Sequence, residues 1–195
     1  MSTSVDNEKR APRLTAAESR ARILLAARAA FTRAGYDAVG VREIAALAGV
    51  DPAMVPRLFG SKEALFTMIA DEAFRLEPPF DGSIDGMGRR VAHHLMGPIA
   101  RCDPDDFDEF TFLLRSVGSP TAAPILSVAL HTTFIRPLSQ RMDGPAAEAR
   151  AALATAYVMG FAVLRAGLGS PSIEAAGQDV IIERLGDAIQ ACLTP

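Results

Sequence analysis

IAALAGVDPAMVPRLFGSKEAL, running from Ile44 to Leu65, is the stretch on which the organisation of the chain turns. Two helix-sized segments meet in it at a tight Ala48-Gly49-Val50 joint, where Gly supplies backbone freedom and Val50 plugs the space between the helices. Asp51 is placed to cap the next helix, and Pro52 occupies its first position, where a missing N–H costs nothing. Val55, Leu58 and Phe59 then fall on the core side, which leaves Ala53, Met54, Pro56 and Arg57 pointing outward. Gly60 closes this helix and Ser61 caps a fourth, expected from Lys62 to about Glu77, with Leu65, Phe66, Ile69, Ala73 and Phe74 as its buried stripe. The pattern is that of a helix-turn-helix.

Upstream, Thr15 and Glu18 form a T-x-x-E capping box that starts a first helix. Ile23, Leu24, Ala27, Ala30 and Phe31 recur along one face of it, while Arg20, Arg22, Arg28 and Arg33 lie mainly elsewhere, and Gly35 ends it. Tyr36 to Gly40 is a connector. The second helix starts at Val41 without a good capping side chain, with Ile44, Ala45 and Leu47 apolar. Residues 1–14 read as a flexible arm bearing Lys9, Arg10 and Arg13, of the kind that lies along phosphates or in a minor groove.

The charge distribution agrees with this reading of the front segment. Across 195 residues the net charge is −3, but Met1 to Lys62 holds ten Lys or Arg against six Asp or Glu, and Glu63 to Pro195 holds ten against seventeen. A polyanion would meet the front and be repelled by the rest. Cys102 and Cys192 are the two cysteines, which suits reduced thiols of a cytoplasmic protein. The start lacks the apolar stretch of a secretory signal, and no run of about 18 uninterrupted apolar residues suggests a membrane span.

Downstream, Pro78-Pro79 stops the fourth helix and FDGSIDGMG, Phe80 to Gly88, is expected to be a flexible join. Asp103-Pro104, Ser119-Pro120, Gly144-Pro145 and Ser170-Pro171 then repeat one punctuation, each opening an apolar-periodic segment. Helices are expected at about Ile84–Gly97, Pro104–Val117, Thr121–Met142, Pro145–Gly167 and Pro171–Leu193, with Pro98 and Pro137 as bends or breaks. The fold class is all-α, about nine helices. Ala152, Ala156 and Gly160 share one helix face at four-residue spacing; with Ile181, Leu185 and Ile189 of the final helix they could form half of a four-helix dimer interface or an ordinary monomer core.

Arg22 to Phe66, RILLAARAAFTRAGYDAVGVREIAALAGVDPAMVPRLFGSKEALF, resembles the DNA-binding domain of the tetracycline-repressor (TetR) family of bacterial regulators, with IAALAGV and FGSKEAL in register. The remainder is similar in length and helical character, with a weaker likeness to actinobacterial members. The resemblance implies a helix-turn-helix head over residues 15–60, a linking helix over 61–79, and a body over 80–195 that binds a small-molecule effector and forms a homodimer. It implies a transcriptional regulator, in most members a repressor, reading a palindromic double-stranded DNA operator. By position it puts Arg42 near phosphate or a base edge, Ala53, Met54 and Arg57 on the recognition helix, and Lys62 on phosphate. Arg57 has a fork that can address guanine, worth roughly 1–3 kcal/mol if bidentate.

Two positions depart from the family pattern: Pro56 stands where a Tyr is usual, and Leu58 where a His or Tyr is common. Pro56 removes a helical bond to the Pro52 carbonyl, so a kinked or short recognition helix is expected. The alternative function is a helical ligand-binding or interaction protein of the same fold whose DNA binding has weakened.

No set of side chains suggests catalysis, a metal or a cofactor. His93 and His94 are adjacent and point about 100° apart on a helix, and His131 has Phe134 and Ile135 where a second ligand would stand. The DPDDFDE run, Asp103 to Glu109, suits the first turn of a helix. In the body, His94, Phe110, Leu114, His131, Phe134, Tyr157 and Phe161 are candidates to line an apolar cavity, and Arg115 and Arg165 could meet an acidic ligand or pair with carboxylates.

Overall fold

The computed structural model describes residues 14–76, 78–97 and 107–195, and every regular element among them is helical. The Thr15–Glu18 capping box is formed: the Glu18 N–H donates to Thr15 Oγ1 at 3.2 Å and the Thr15 N–H to Glu18 Oε2 at 2.7 Å. Those bonds hold the Glu18 carboxyl below its ordinary range. Helix α1 (Ala16–Ala34) follows, then α2 (Val41–Ala48), α3 (Met54–Phe59) and α4 (Lys62–Ala73). Ser61 caps α4 by accepting from the Ala64 N–H at 3.0 Å. The helix stops at Ala73, short of Glu77, and a single tight turn follows at Pro78–Phe80; the Pro78-Pro79 pair disfavours helix ahead of it.

The body comprises α5 (Met87–Met96), α6 (Glu109–Ser116), α7 (Ala122–Leu130), α8 (Arg136–Ser139), α9 (Ala147–Ala162), α10 (Pro171–Ala175) and α11 (Gln178–Leu193). Proline and glycine account for the departures from the expected spans. Before Pro137 the rod widens by one residue over His131–Ile135, and the Arg136 N–H reaches back to the His131 carbonyl; a wide turn absorbs the donor that Pro137 lacks. A second wide turn, Val163–Gly167, continues α9. The last expected helix divides at Gly177, where the backbone is extended. Pro98, Cys102 and the carboxylates before Phe107 lie outside the described residues; Asp108 caps α6 through the Thr111 N–H.

Two apolar cores result. One takes Phe31 of α1, Ile44 of α2, Val55 of α3 and Phe66 of α4 together with Phe112 of α6 and Leu126 of α7. The other joins Met87 and Val91 of α5 to Phe134, Leu138, Val158 of α9 and Ile189 of α11. Leu130 packs against both.

The join from Phe80 to Gly88, expected to be flexible, is clamped. Arg90 donates to the carbonyls of Asp81, Ser83 and Asp85, and Arg141 donates to those of Phe80 and Gly82. At its end, α5 crosses α11 almost backbone to backbone. A Cβ on Gly88 would overlap the Gly186 carbonyl, and one on Gly186 would stand 3.1 Å from Arg89 Cα. Gln190 secures the crossing, accepting from the Gly88 N–H at 3.0 Å and donating to the Ile84 carbonyl at 3.1 Å. Gly88→Ala is therefore expected to cost about 2–3 kcal/mol, as overpacking of a rigid contact does. Urea unfolding measures this, and an unchanged midpoint would mean that the helices part without penalty.

Candidate functional site

The recognition segment is short, and its opening turn is tight. The Asp51 carboxylate accepts from the Ala53 N–H at 2.8 Å. The Met54 and Val55 N–H groups reach back three residues, to Asp51 and Pro52 carbonyls at 2.9 and 3.3 Å. Val55 thus takes the carbonyl that a residue other than proline at position 56 would have used, and Pro56 leaves no orphan acceptor. Ala53, Pro56 and Arg57 are exposed and Met54 is half-buried against the core. Leu58 is also half-buried; its carbonyl accepts from Arg20 Nη1 at 2.8 Å, while the Arg20 guanidinium lies 4.4 Å over the Phe59 ring. A side chain read from periodicity as solvent-facing thus ties α1 to the end of α3.

Long-range partners sort the front cations into two groups. Arg28 pairs with Glu72, and Arg33 with Glu43 at 3.2 Å. Lys62 donates to the Tyr36 and Val39 carbonyls at 2.8 and 2.9 Å and lies 4.0 Å over the Tyr36 ring. Arg22, Arg42 and Arg57 are exposed and have no hydrogen bond or ion pair among the described residues. Arg22 was read only as part of a polar face, but its guanidinium stands beside the Gly49 turn. Arg13 lies outside the described residues.

Tyr36 ties the connector to both α4 and α6. Its hydroxyl donates to Glu63 Oε1 at 2.8 Å, and its backbone N–H donates to Ser116 Oγ of α6 at 3.2 Å. Burial, and then the Glu63 carboxylate, push the Tyr36 phenol far up from its ordinary value. Glu63 is held below its ordinary value of 4.5 by its own backbone N–H, then by the Tyr36 hydroxyl and Ser61. One residue before Tyr36, Gly35 has φ 77°, and a Cβ there would overlap the Arg115 carbonyl.

A cavity of about 270 Å³ lies where the two cores meet. Ala73, Phe74 and Arg75 reach it from the end of α4; Phe80, Val91, His94 and Leu95 from the join and α5; Glu109 and Phe110 from α6. Leu130, Phe134, Thr155, Val158 and Met159 complete the wall. Of the seven residues expected there, it gathers His94, Phe110 and Phe134. The other four are corrected: Leu114 and Tyr157 are 42% and 48% exposed on the outside, His131 faces Glu148 at 3.3 Å, and Phe161 packs on the small cluster of Ala92, Met96 and Ile182. Residues flanking the inner stripe of these helices turn outward, so apolar periodicity marks two faces and not one. Arg165 caps the end of α5 instead of meeting an acid, donating to the carbonyls of Leu95, Met96 and Gly97. Among the described residues no three metal-ligating side chains converge.

The residues named for a dimer face differ in their exposure within the protomer. Ile189 is fully buried inside the protomer, and Ile181 and Leu185 are half-buried against its own core, because α11 turns that stripe toward α5. Ala152 is half-buried, and Ala156 and Gly160 are exposed. With them, Leu153, Tyr157, Leu164 and Leu168 are 56%, 48%, 48% and 70% exposed, a continuous apolar strip. The helix Ala147–Gly167 is long and apolar enough to cross a membrane by length and composition, but its other face carries Ala151, Ala154 and Val158 into the core.

Tyr36→Phe should destabilise the protein by about 1 kcal/mol at neutral pH. The folded Glu63 pKa is lowered, so the Tyr36–Glu63 bond contributes fully above about pH 4.5 and is lost as pH falls through the lowered value. The gap between native and variant, read from urea unfolding at pH 7 and in acid, should therefore narrow in acid. Lys62→Met should cost about 2 kcal/mol without DNA present; a lysine serving phosphate alone would leave stability unchanged.

Two family profiles match the chain. Bacterial regulatory proteins of the tetR family match residues 23–69, and the tetracyclin repressor-like C-terminal domain matches residues 85–193, more than half of the chain. No curated protein matches. Among solved structures, the chain is similar to a TetR-family regulator from Streptomyces coelicolor A3, at 29% identity over 95% of this chain and 100% of that one, with a TM-score of 0.61. It is similar in fold to NalD, the secondary repressor of the MexAB-OprM multidrug efflux pump in Pseudomonas aeruginosa, at 18% identity over 92% and 98%, TM-score 0.64. Salmonella enterica GusR is another such structure, at 18% identity over 96% and 99%, TM-score 0.59. With a helix-turn-helix head on a helical body and both profiles in sequence, the chain belongs to the TetR family of DNA-binding transcriptional regulators.

Proposed function

We propose that this regulator is a ligand-responsive repressor that binds a palindromic operator as a homodimer and is released when a small molecule enters the cavity. The carrying observation is that the end of α4, which continues from the recognition segment, forms part of the cavity wall through Phe74 and Arg75. Residues 15–60 act as the reading head, 61–79 as the link and 80–195 as the effector-binding and dimerising body. The Thr133 hydroxyl, within the wide turn that also carries Phe134 to the cavity, shares its proton between the Ala129 carbonyl at 2.8 Å and the Phe74 carbonyl at 2.9 Å. An occupant that displaces this wall changes the tilt of α4, and so the spacing of two heads placed about 34–36 Å apart.

The exposed cations that have no hydrogen bond or ion pair among the described residues support the assignment of the DNA surface. Arg57 addresses a base edge, Arg42 and Arg22 address phosphate, and Ala53, Met54 and Pro56 give apolar contact. Lys62 acts chiefly by holding the connector in place. A second copy covers the strip from Leu153 to Leu168, since a family whose heads read two half-sites needs a two-fold interface and this strip is the apolar surface left over on α9.

Fluorescence anisotropy against the DNA upstream of its own gene tests the reading. Binding should weaken steeply with salt; Arg22→Ala and Arg42→Ala should each reduce the log–log salt slope by about 1 per protomer, Arg57→Ala should relax the base preference at one position of each half-site, and Arg33→Ala should leave the slope unchanged. Absence of salt-dependent binding would overturn the proposal. The absence of a hydrogen-bonding side chain at Pro56 and Leu58 favours one second reading, a family member that has weakened its DNA binding. It gains if Pro56→Tyr creates operator binding that the native protein lacks. Leu153→Glu with Tyr157→Glu should convert the dimer to monomer in light scattering, and an unchanged mass would move the interface elsewhere.

A further inference from the structure

We propose that the cavity takes a small organic acid, an apolar body of on the order of ten heavy atoms bearing one carboxylate, and that Arg75 receives the carboxylate. This rests on the reading of the cavity as the effector site and adds the chemical class of its occupant. The size follows from a volume of about 270 Å³ at about 30 Å³ per water-sized group. Phe74, Phe80, Phe110 and Phe134 supply an aromatic wall, suited to an alkyl or aryl body and to no second charge.

The polar groups at the wall are few and unequal. Thr155 gives its hydroxyl proton to the Ala151 carbonyl at 2.8 Å, so it offers an occupant only an acceptor. His94 and Glu109 already have interactions of their own. Arg75 has no hydrogen bond or ion pair among the described residues. Arg90, Arg141, Arg150 and Arg165 of the body are committed to backbone carbonyls; among the described arginines without such a bond, Arg75 is the one that lines the cavity. A guanidinium with its whole fork unused at the rim of an aromatic hollow matches a carboxylate in charge and in shape. Its place just beyond α4 gives the bond a consequence, because drawing Arg75 toward the occupant pulls on the helix that carries the head.

The test uses octanoate and 3-phenylpropanoate as probes beside their uncharged amides, octanamide and 3-phenylpropanamide, with binding measured by calorimetry and thermal shift on the full-length protein at neutral pH. Each acid should bind about tenfold or more tightly than its amide. Arg75→Gln should bring the ratio close to one, and Arg75→Lys should keep part of it. Met159→Trp, which fills the cavity, should abolish binding of all four. Equal binding of acid and amide by the native protein would overturn the proposal while leaving the effector-site reading intact. A preference for acids that survives Arg75→Gln would overturn the assignment to Arg75. Failure of all four probes to bind, or binding that survives Met159→Trp, would overturn the effector-site reading itself.

Discussion

Phe66 is the side chain around which the protein is assembled. It is fully buried on α4, with Phe31 of α1 at 5.1 Å, Tyr36 of the connector at 4.9 Å and Phe112 of α6 at 4.7 Å between ring centres. Two of these rings belong to the head, Phe66 to the linking helix and Phe112 to the body, so the head has no separate interior. Rings at such spacings add to the burial of their area through edge-to-face and offset contact. The same junction is fixed by backbone at Gly35 against Arg115 and by the Tyr36–Ser116 and Asp37–Ser119 bonds. A head built this way cannot pivot freely on α6. Its orientation follows from how α4 and α6 are held at their far ends, which is where the cavity lies.

Local chemistry was legible in the sequence, and long-range pairing was not. Thr15, Glu18 and Ser61 cap where their spacing says they should, because a cap needs only residues within one turn; Asp51 instead closes a turn on the Ala53 N–H, and α3 begins only at Met54, without a side-chain cap. Pro56 shortened the recognition helix as its missing donor required, though relief came from a tighter first turn. By contrast, Arg20, Lys62, Arg141 and Arg165 find carbonyls from distant segments, and no periodicity specifies such acceptors. Gly88, expected at the end of a flexible join, and Gly186 mark the place where two backbones touch. The Ala152–Gly160 stripe, which looked made for close helix approach, has open space at Gly160. A stripe tells which residues share a face, and only the packed structure tells what that face meets.

This sorting of the charges changes how the composition should be read. The front segment carries an excess of cations, but several of them brace the head from within, leaving a small exposed set on the side of α3. In the body four guanidiniums, those of Arg90, Arg141, Arg150 and Arg165, serve as caps for carbonyls that would otherwise be orphaned at helix ends and in loops. At these positions arginine is a backbone ligand. Lysine could not replace it in these positions without giving up the fork that reaches two or three acceptors at once.

The hollow between the two cores has a mechanical side. Close-packed protein interiors are stiff and transmit displacement with little loss. A void set between two such bodies is the compliant element in series with them, and deformation concentrates there. Filling it removes the compliance, so that a small push on Phe134 or Phe74 is no longer absorbed locally and passes along α4 to a head whose aromatic weld is too stiff to dissipate it.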